Sequence, residues 1–217
     1  MKLLVTLIAF ILSFSIFGQG AVLFNGTMTN RTKSNSYYLK GDKLQTYGGA
    51  INMSKVWVRE NGLELLLGGG LQIEGASEDY AHTDDYEDYL KGTDQWTIVT
   101  AEFVFLAFKE IAPSFGLSFG TSLGVGLGMV NENYSRTSVD LWGEPIIDDY
   151  NYNTGFMMLP ELKIIIGPYF DINKHWRINA WFNAGFSPTL FLAGYYGEGE
   201  AYGLTGFRVG GQYTFGK

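Results

Sequence analysis

Between Ser114 and Val130 the chain alternates with a period of two. Phe115, Leu117, Phe119, Leu123, Val125, Leu127 and Met129 take every second position, interrupted only by Thr121. Ser114, Gly116, Ser118, Gly120, Ser122, Gly124, Gly126 and Gly128 fill the places between. Successive side chains of a strand point to opposite faces, so this spacing predicts one long strand. One of its faces is greasy and the other nearly bare. A helix would mix the two sets around its circumference.

Other segments repeat the pattern. Leu63, Leu65, Leu67, Leu71 and Ile73 alternate with Glu64, Leu66, Gly68, Gly70, Gln72 and Glu74. Val99, Ala101, Phe103, Phe105 and Ala107 share a face opposite Glu102. Phe156, Met158, Leu162, Ile164, Ile166 and Phe170 oppose Glu161, Lys163 and Tyr169. Trp176, Ile178, Ala180, Phe182 and Phe186 oppose Arg177, Asn179 and Asn183, and Phe207, Val209, Tyr213 and Phe215 oppose Arg208, Gln212 and Thr214. Two weaker stretches complete the set. In Ala21 to Asn30, Val22, Phe24 and Met28 oppose Asn25, Thr27 and Thr29. In Thr46 to Arg59, Ile51, Met53 and Trp57 share a face with Lys55, which demands a bulge or a rim position there.

The eight predicted strands are joined by connections of alternating length. Glu60-Asn61-Gly62, Glu110-Ile111-Ala112-Pro113 and Asp171-Ile172-Asn173-Lys174 are short. Polar stretches at 31–45, 77–95 and 131–154 are long, and one near 197–202 is shorter. Short turns at one end and long loops at the other mark a membrane barrel, and an even strand number returns both termini to the short-turn end.

Face polarity decides between a soluble and a membrane barrel. The charges Glu102, Glu161, Lys163 and Arg208 fall near mid-strand, with Glu64, Glu74 and Arg177 nearer the ends. A Lys or Arg facing lipid at the midplane would cost roughly 2–4 kcal/mol. These groups therefore point inward, where opposite charges at one height neutralise each other. The apolar set points outward to hydrocarbon. An interior of eight strands is just filled by side chains, and the Gly/Ser face of 114–130 leaves room for long neighbours. Trp57, Trp96, Trp176, Tyr47, Tyr169, Tyr195 and Tyr213 lie near strand ends, as interfacial aromatic girdles do. The expected fold is all-β: a single eight-stranded antiparallel up-and-down transmembrane β-barrel over 21–217.

Composition sharpens this picture. With 29 glycines, 16% aromatics, five prolines and near-neutral mean hydropathy (+0.02), strands and turns are favoured over a bundle of membrane helices. The absence of cysteine excludes disulfides, thiolate metal sites and a lipid-modified N-terminal cysteine. A net charge of −7 offers nothing to nucleic acid. Residues 1–20 read as a cleaved signal peptide: Met1-Lys2, an apolar run from Leu3 to Phe17, and Gly18-Gln19-Gly20 as a small-x-small site.

The alternating strands, long loops and terminal Tyr213-Thr214-Phe215 resemble the small outer-membrane barrels typified by the OmpA transmembrane domain and OmpX. The resemblance spans the mature chain and is one of pattern. It implies a location in the outer membrane, contact with its lipid and lipopolysaccharide, and insertion by the barrel-assembly machinery. Members usually end on an aromatic residue, whereas this chain ends Phe215-Gly216-Lys217.

Candidate chemistry is sparse. His82 lies beside Asp84 and Asp85, with Ser77 nearby. PagP-like and PagL-like barrel enzymes use His with Ser and an acid, but no nucleophile motif surrounds Ser77. His175 falls in a short turn and reads as surface. The 77–95 stretch carries Glu78, Asp79, Asp84, Asp85, Glu87, Asp88 and Asp94 against Lys91, punctuated by Tyr80, Tyr86 and Tyr89. The 131–154 stretch adds Glu132, Asp140, Glu144, Asp148 and Asp149, with Tyr134, Tyr150 and Tyr152. Such carboxylates suit Ca²⁺ or Mg²⁺, yet the Asp-x-Asp-x-Asp-Gly spacing is absent, so solvated loops are the plainer reading. Tyr-rich polar loops also suit an extracellular protein or glycan ligand. No catalytic, cofactor-binding or metal residue is assigned, and no cofactor. The expected function is a structural or surface-interaction barrel, not an enzyme. A lipid-modifying enzyme and a narrow channel or transport-associated barrel are the alternatives.

Overall fold

The computed structural model describes residues 19–33, 43–58, 62–83, 89–139, 145–188, 190–191 and 201–216. The apolar run expected to be a signal peptide, the Glu60-Asn61 turn, Asp84, Asp85 and Tyr195 lie outside them. The strands are β1 (Gly20–Lys33), β2 (Lys43–Val58), β3 (Leu63–Thr83), β4 (Tyr89–Ala112), β5 (Phe115–Val139), β6 (Pro145–Asp171), β7 (Trp176–Pro188), β8 (Leu190–Phe191) and β9 (Ala201–Phe215).

Every pairing is antiparallel, β1 to β7 each pair with their neighbours in sequence, and β9 pairs with β7 and β1. β1 pairs with β9 from Gly20↔Phe215 to Lys33↔Tyr202, which closes the barrel. The two-residue β8 meets β6 at Met158↔Leu190 in the register that β7 keeps at Leu162↔Phe186. β7 and β8 are therefore one stave, and the nine segments make the expected eight-stranded barrel.

The two faces divide as the alternation requires. Phe119 is 53% exposed, Leu123 56% and Ile164 64%, all on the outer wall. Glu102 is 5% exposed and Arg208 1%, both inside. An exposed belt of Phe, Ile, Leu and Val on all sides far exceeds a soluble protein's apolar patches and matches hydrocarbon. Lys55 sits on this wall without a bulge, because β2 keeps one register with both neighbours. It lies close to the short-turn rim, and its Nζ stands 5.4 Å from the Trp57 ring, one step nearer the strand end. The ammonium thus snorkels to the interface over an aromatic.

Several boundaries differ from the sequence reading. β5 begins at Phe115, because Ser114 takes φ 62° in the Pro113–Ser114 turn. β1 begins at Gly20, and Gln19 accepts a hydrogen bond from Val56 N at 2.9 Å, so the barrel edge starts inside the stretch assigned to the signal. The largest correction concerns the long loops. β3 runs on to Thr83 and β4 starts at Tyr89, with Thr83↔Tyr89 the last pair. β5 and β6 stay paired up to Val139↔Pro145. Most of 77–95 and 131–154 is thus ladder, and β1 and β2 likewise extend into 31–45. Polar composition misled here because a strand that has left the membrane no longer needs apolar alternation.

Candidate functional site

The interior was expected to be charged, and it is. It is also layered. Near the short-turn end, the Arg177 guanidinium donates to Glu64 Oε1 at 2.8 Å and to Asp171 Oδ1 at 2.7 Å. Its Cζ lies 4.2 Å from the centre of the Tyr169 ring and 4.6 Å from that of Phe108. Tyr169 is therefore an inward residue, 4% exposed, and no part of an outer girdle. Trp96 lies well inside β4 instead of near its end. Trp57, Trp176 and Tyr47 do stand exposed on the outer wall near strand ends.

Above this layer is apolar packing that the charge pattern concealed. Leu23, Val56, Leu66, Val104, Leu106, Phe108, Ile165 and Trp181 form one buried cluster inside the barrel. Bare positions on β5 and β6 admit the large rings. Trp181 lies against Gly167, where a Cβ would stand 2.8 Å from the Trp181 Cα, and it donates Nε1–H to Ser118 Oγ at 2.7 Å. Ser118 in turn donates to Gly167 O at 2.9 Å. A Cβ at Gly116 would stand 2.5 Å from the Tyr169 hydroxyl oxygen, so that glycine is required by a close approach.

Two further layers complete the lumen. Arg208 grips Glu102 bidentately, both contacts at 2.8 Å, and donates to Gln72 Oε1 at 2.7 Å. Asn52 donates to the same carboxylate at 2.9 Å. Toward the long-hairpin end, Arg31 reaches Glu74 at 3.0 Å and Glu161 at 2.7 Å, and Lys163 also pairs with Glu161. Thr29 and Thr46 donate to Glu74 at 2.6 and 2.9 Å. Sequence reasoning placed Arg31 in a loop and missed it. Its even spacing from Thr27 and Thr29 on the inward face was the available signal.

Among the described residues the buried charges balance four against four: Arg31, Lys163, Arg177 and Arg208 with Glu64, Glu74, Glu102 and Glu161. Paired in this way, the groups avoid the penalty of an isolated buried charge. The stacked layers place side chains across the lumen at each of these heights.

The enzyme candidates separate. Ser77 and His82 both lie on β3, five residues apart. Their backbone positions stand about 16 Å apart along the strand, and the acids Asp84 and Asp85 lie outside the described residues. His175 is more than surface. Its Nδ1 lies 2.9 Å from Thr214 O, and its ring stacks on Tyr213 at 5.9 Å, tying the β6–β7 turn to the last strand. No group of three or more His, Cys, Asp or Glu side chains among the described residues could hold a metal ion.

No family model matches the chain. No curated protein matches it either. Solved structures do align along nearly the whole chain. OprG of Pseudomonas aeruginosa matches with a TM-score of 0.49 at 10% identity, covering 92% of this chain and 97% of that one. Ail of Yersinia pestis, in complex with the heparin analogue sucrose octasulfate, matches at 0.41 and 14%, covering 91% and 99%. Neisserial surface protein A matches at 0.38 and 12%, covering 90% and 98%. All three are similar to this chain at low identity, and its fold rests on its own strand pairing.

Proposed function

We propose that this chain is an integral outer-membrane barrel that carries an acidic, tyrosine-rich sheet beyond the membrane for contact with another macromolecule. One observation carries the reading: β3 to β6 continue as a paired sheet past the other staves, above a lumen filled by ion pairs and side chains. A pore needs the opposite arrangement, an open lumen under short hairpins. The stretches 77–95 and 131–154 hold twelve acidic and two basic residues, a charge of −10 in a chain totalling −7. The acid is therefore concentrated in the part that leaves the membrane.

Four measurements test this. Cell fractionation with a heat-modifiability gel should place a folded barrel in the outer membrane. Protease added to intact cells should cut within 77–95 or 131–154 and leave the barrel whole. Planar bilayers should stay silent, and lipid A mass spectra should not change on deletion. Protection of both hairpins on intact cells would overturn the surface reading. A steady conductance would favour a channel, and an altered lipid A an enzyme.

A further inference from the structure

The lumen has a polar side that the ion-pair layers do not account for. Opposed residues of an antiparallel pair share a face, so register gives the rows of the inner wall. Asn25, Gly210 and Asn179 form one inward row across β1, β9 and β7. Thr27, Arg208 and Trp181 form the next row, away from the short-turn end. On this side the wall is thin in apolar matter: β9 contributes no residue to the buried apolar cluster. Its glycine takes up an amide instead. A Cβ at Gly210 would stand 2.5 Å from Asn25 Oδ1, so that amide lies over the glycine. Asn183, two residues beyond Trp181, lies beside Gly206 in the same way, its Oδ1 3.1 Å from where a Cβ would be.

The polar groups gathered here are not paired with one another. Asn25, Thr27, Asn179, Asn183, Arg208 and Gln212 are each more than nine-tenths buried. Both amide atoms of Asn25 and of Asn179 lack a hydrogen-bond partner among the described residues. So do Thr27 Oγ1, Asn183 Oδ1, Gln212 Oε1 and Arg208 Nε. Turning over the amide of Asn25 or Asn179 exchanges nitrogen for oxygen and mends nothing, because both atoms are unpaired. Left dry, each of these eight atoms would carry its own desolvation penalty. Native stability is too small a margin to absorb so many at one place.

We propose that the β1–β9–β7 side of the lumen is a binding site for a small cluster of ordered water molecules, shared by Asn25, Asn179 and their neighbours. The unpaired set decides the ligand. Amide Nδ2 and guanidinium Nε only donate, and the amide oxygens only accept. A cation would satisfy the oxygens alone and an anion the N–H groups alone, whereas water serves both. No ion is needed for charge, since the buried acids and bases already balance. The backbones of Asn25 and Asn179 stand two strand spacings apart, about 10 Å, with only a glycine between them. A buried water makes about three hydrogen bonds, so about three molecules can serve the eight atoms. The Arg177 ion pairs lie below this site and the Arg31 layer above it. The water is therefore held in the lumen and not conducted through it.

The test uses the folded wild-type barrel in lipid bilayers, isotope-labelled at asparagine and tryptophan, in solid-state NMR experiments whose magnetisation starts on water. The Trp181 indole is the dry reference, because its N–H is already held by Ser118. The side-chain amides of Asn25 and Asn179 should build up signal at least about fivefold faster than that indole. Amides that build up no faster would show a dry patch and overturn the proposal. Replacing sodium by caesium in the buffer should shift neither amide; a shift would assign the site to a cation and overturn it equally. Urea titrations of Asn25→Ala, Asn179→Ala and the double variant give a second readout. Sites this far apart with no shared partner have additive effects, so their losses in the folding equilibrium constant would multiply. A shared water cluster couples them, and the double variant should retain about threefold more than that product. Losses that simply multiply would overturn the shared cluster. If a variant does not fold, the wild-type spectra still decide.

Discussion

Single residues inside the barrel carry costs that their neighbours offset. Trp181, 2% exposed, has one polar atom, and Ser118 satisfies it. Ser118→Ala should leave that indole N–H buried and unpaired, lowering stability by about 1–3 kcal/mol in urea titrations of the detergent-folded protein. Ser118→Thr keeps the hydroxyl and should lose less if the added methyl fits. Arg208 and Glu102 offer a sharper contrast. Arg208→Met strands a carboxylate that is 5% exposed, at a cost of about 3–5 kcal/mol. Adding Glu102→Leu removes the stranded charge and should recover most of that loss. A double variant no more stable than Arg208→Met would show that the charge itself was not the burden.

Among the elements, the strands buried in the wall were legible and their extensions were not. β5 from Phe115 to Met129 could be read because lipid on one side and a crowded lumen on the other impose strict alternation. The charges at Glu102, Glu161, Lys163 and Arg208 were readable for the same reason, since an outward position is prohibitive. Above Val130 both constraints vanish, and Asn131 to Thr137 resembles any polar loop. Tyr169 misled because a tyrosine near a strand end fits an outer girdle as well as an inner stack on Arg177. β6 carries a bulge, since Met129 pairs with Phe156 but Val130 with Thr154, leaving Gly155 as the extra residue. It left no trace in the periodicity, because it falls where apolar alternation ends. Its effect can be measured in this cysteine-free chain. Cysteines at 134 and 150 should be bridged by dibromobimane, which fluoresces on linking two thiols, and cysteines at 134 and 151 should not, because the bulge sets 134 opposite 150. A bridge at 134 and 151 in place of 134 and 150 would mean that β5 and β6 pair without the bulge.

At the scale of the molecule, stability and display occupy different heights along one axis. The buried apolar cluster draws on β1 to β4, β6 and β7, and none of its members falls within 77–95 or 131–154. The Arg177, Arg208 and Arg31 layers are likewise completed by wall residues alone. The projecting sheet should therefore be dispensable for folding. Replacing both stretches by two-residue Asn-Gly turns would make hairpins of the shortest favoured kind. It would also shift the formal charge of the given sequence from −7 to +3. The trimmed protein should still insert, still migrate differently before and after boiling, and still show no conductance, because the layers that fill the lumen are untouched. If trimming instead abolished the heat-modifiable band, the β3–β6 extensions would belong to the folding core. The separation of anchor from display would then fail, even though both faces of the wall are correctly assigned.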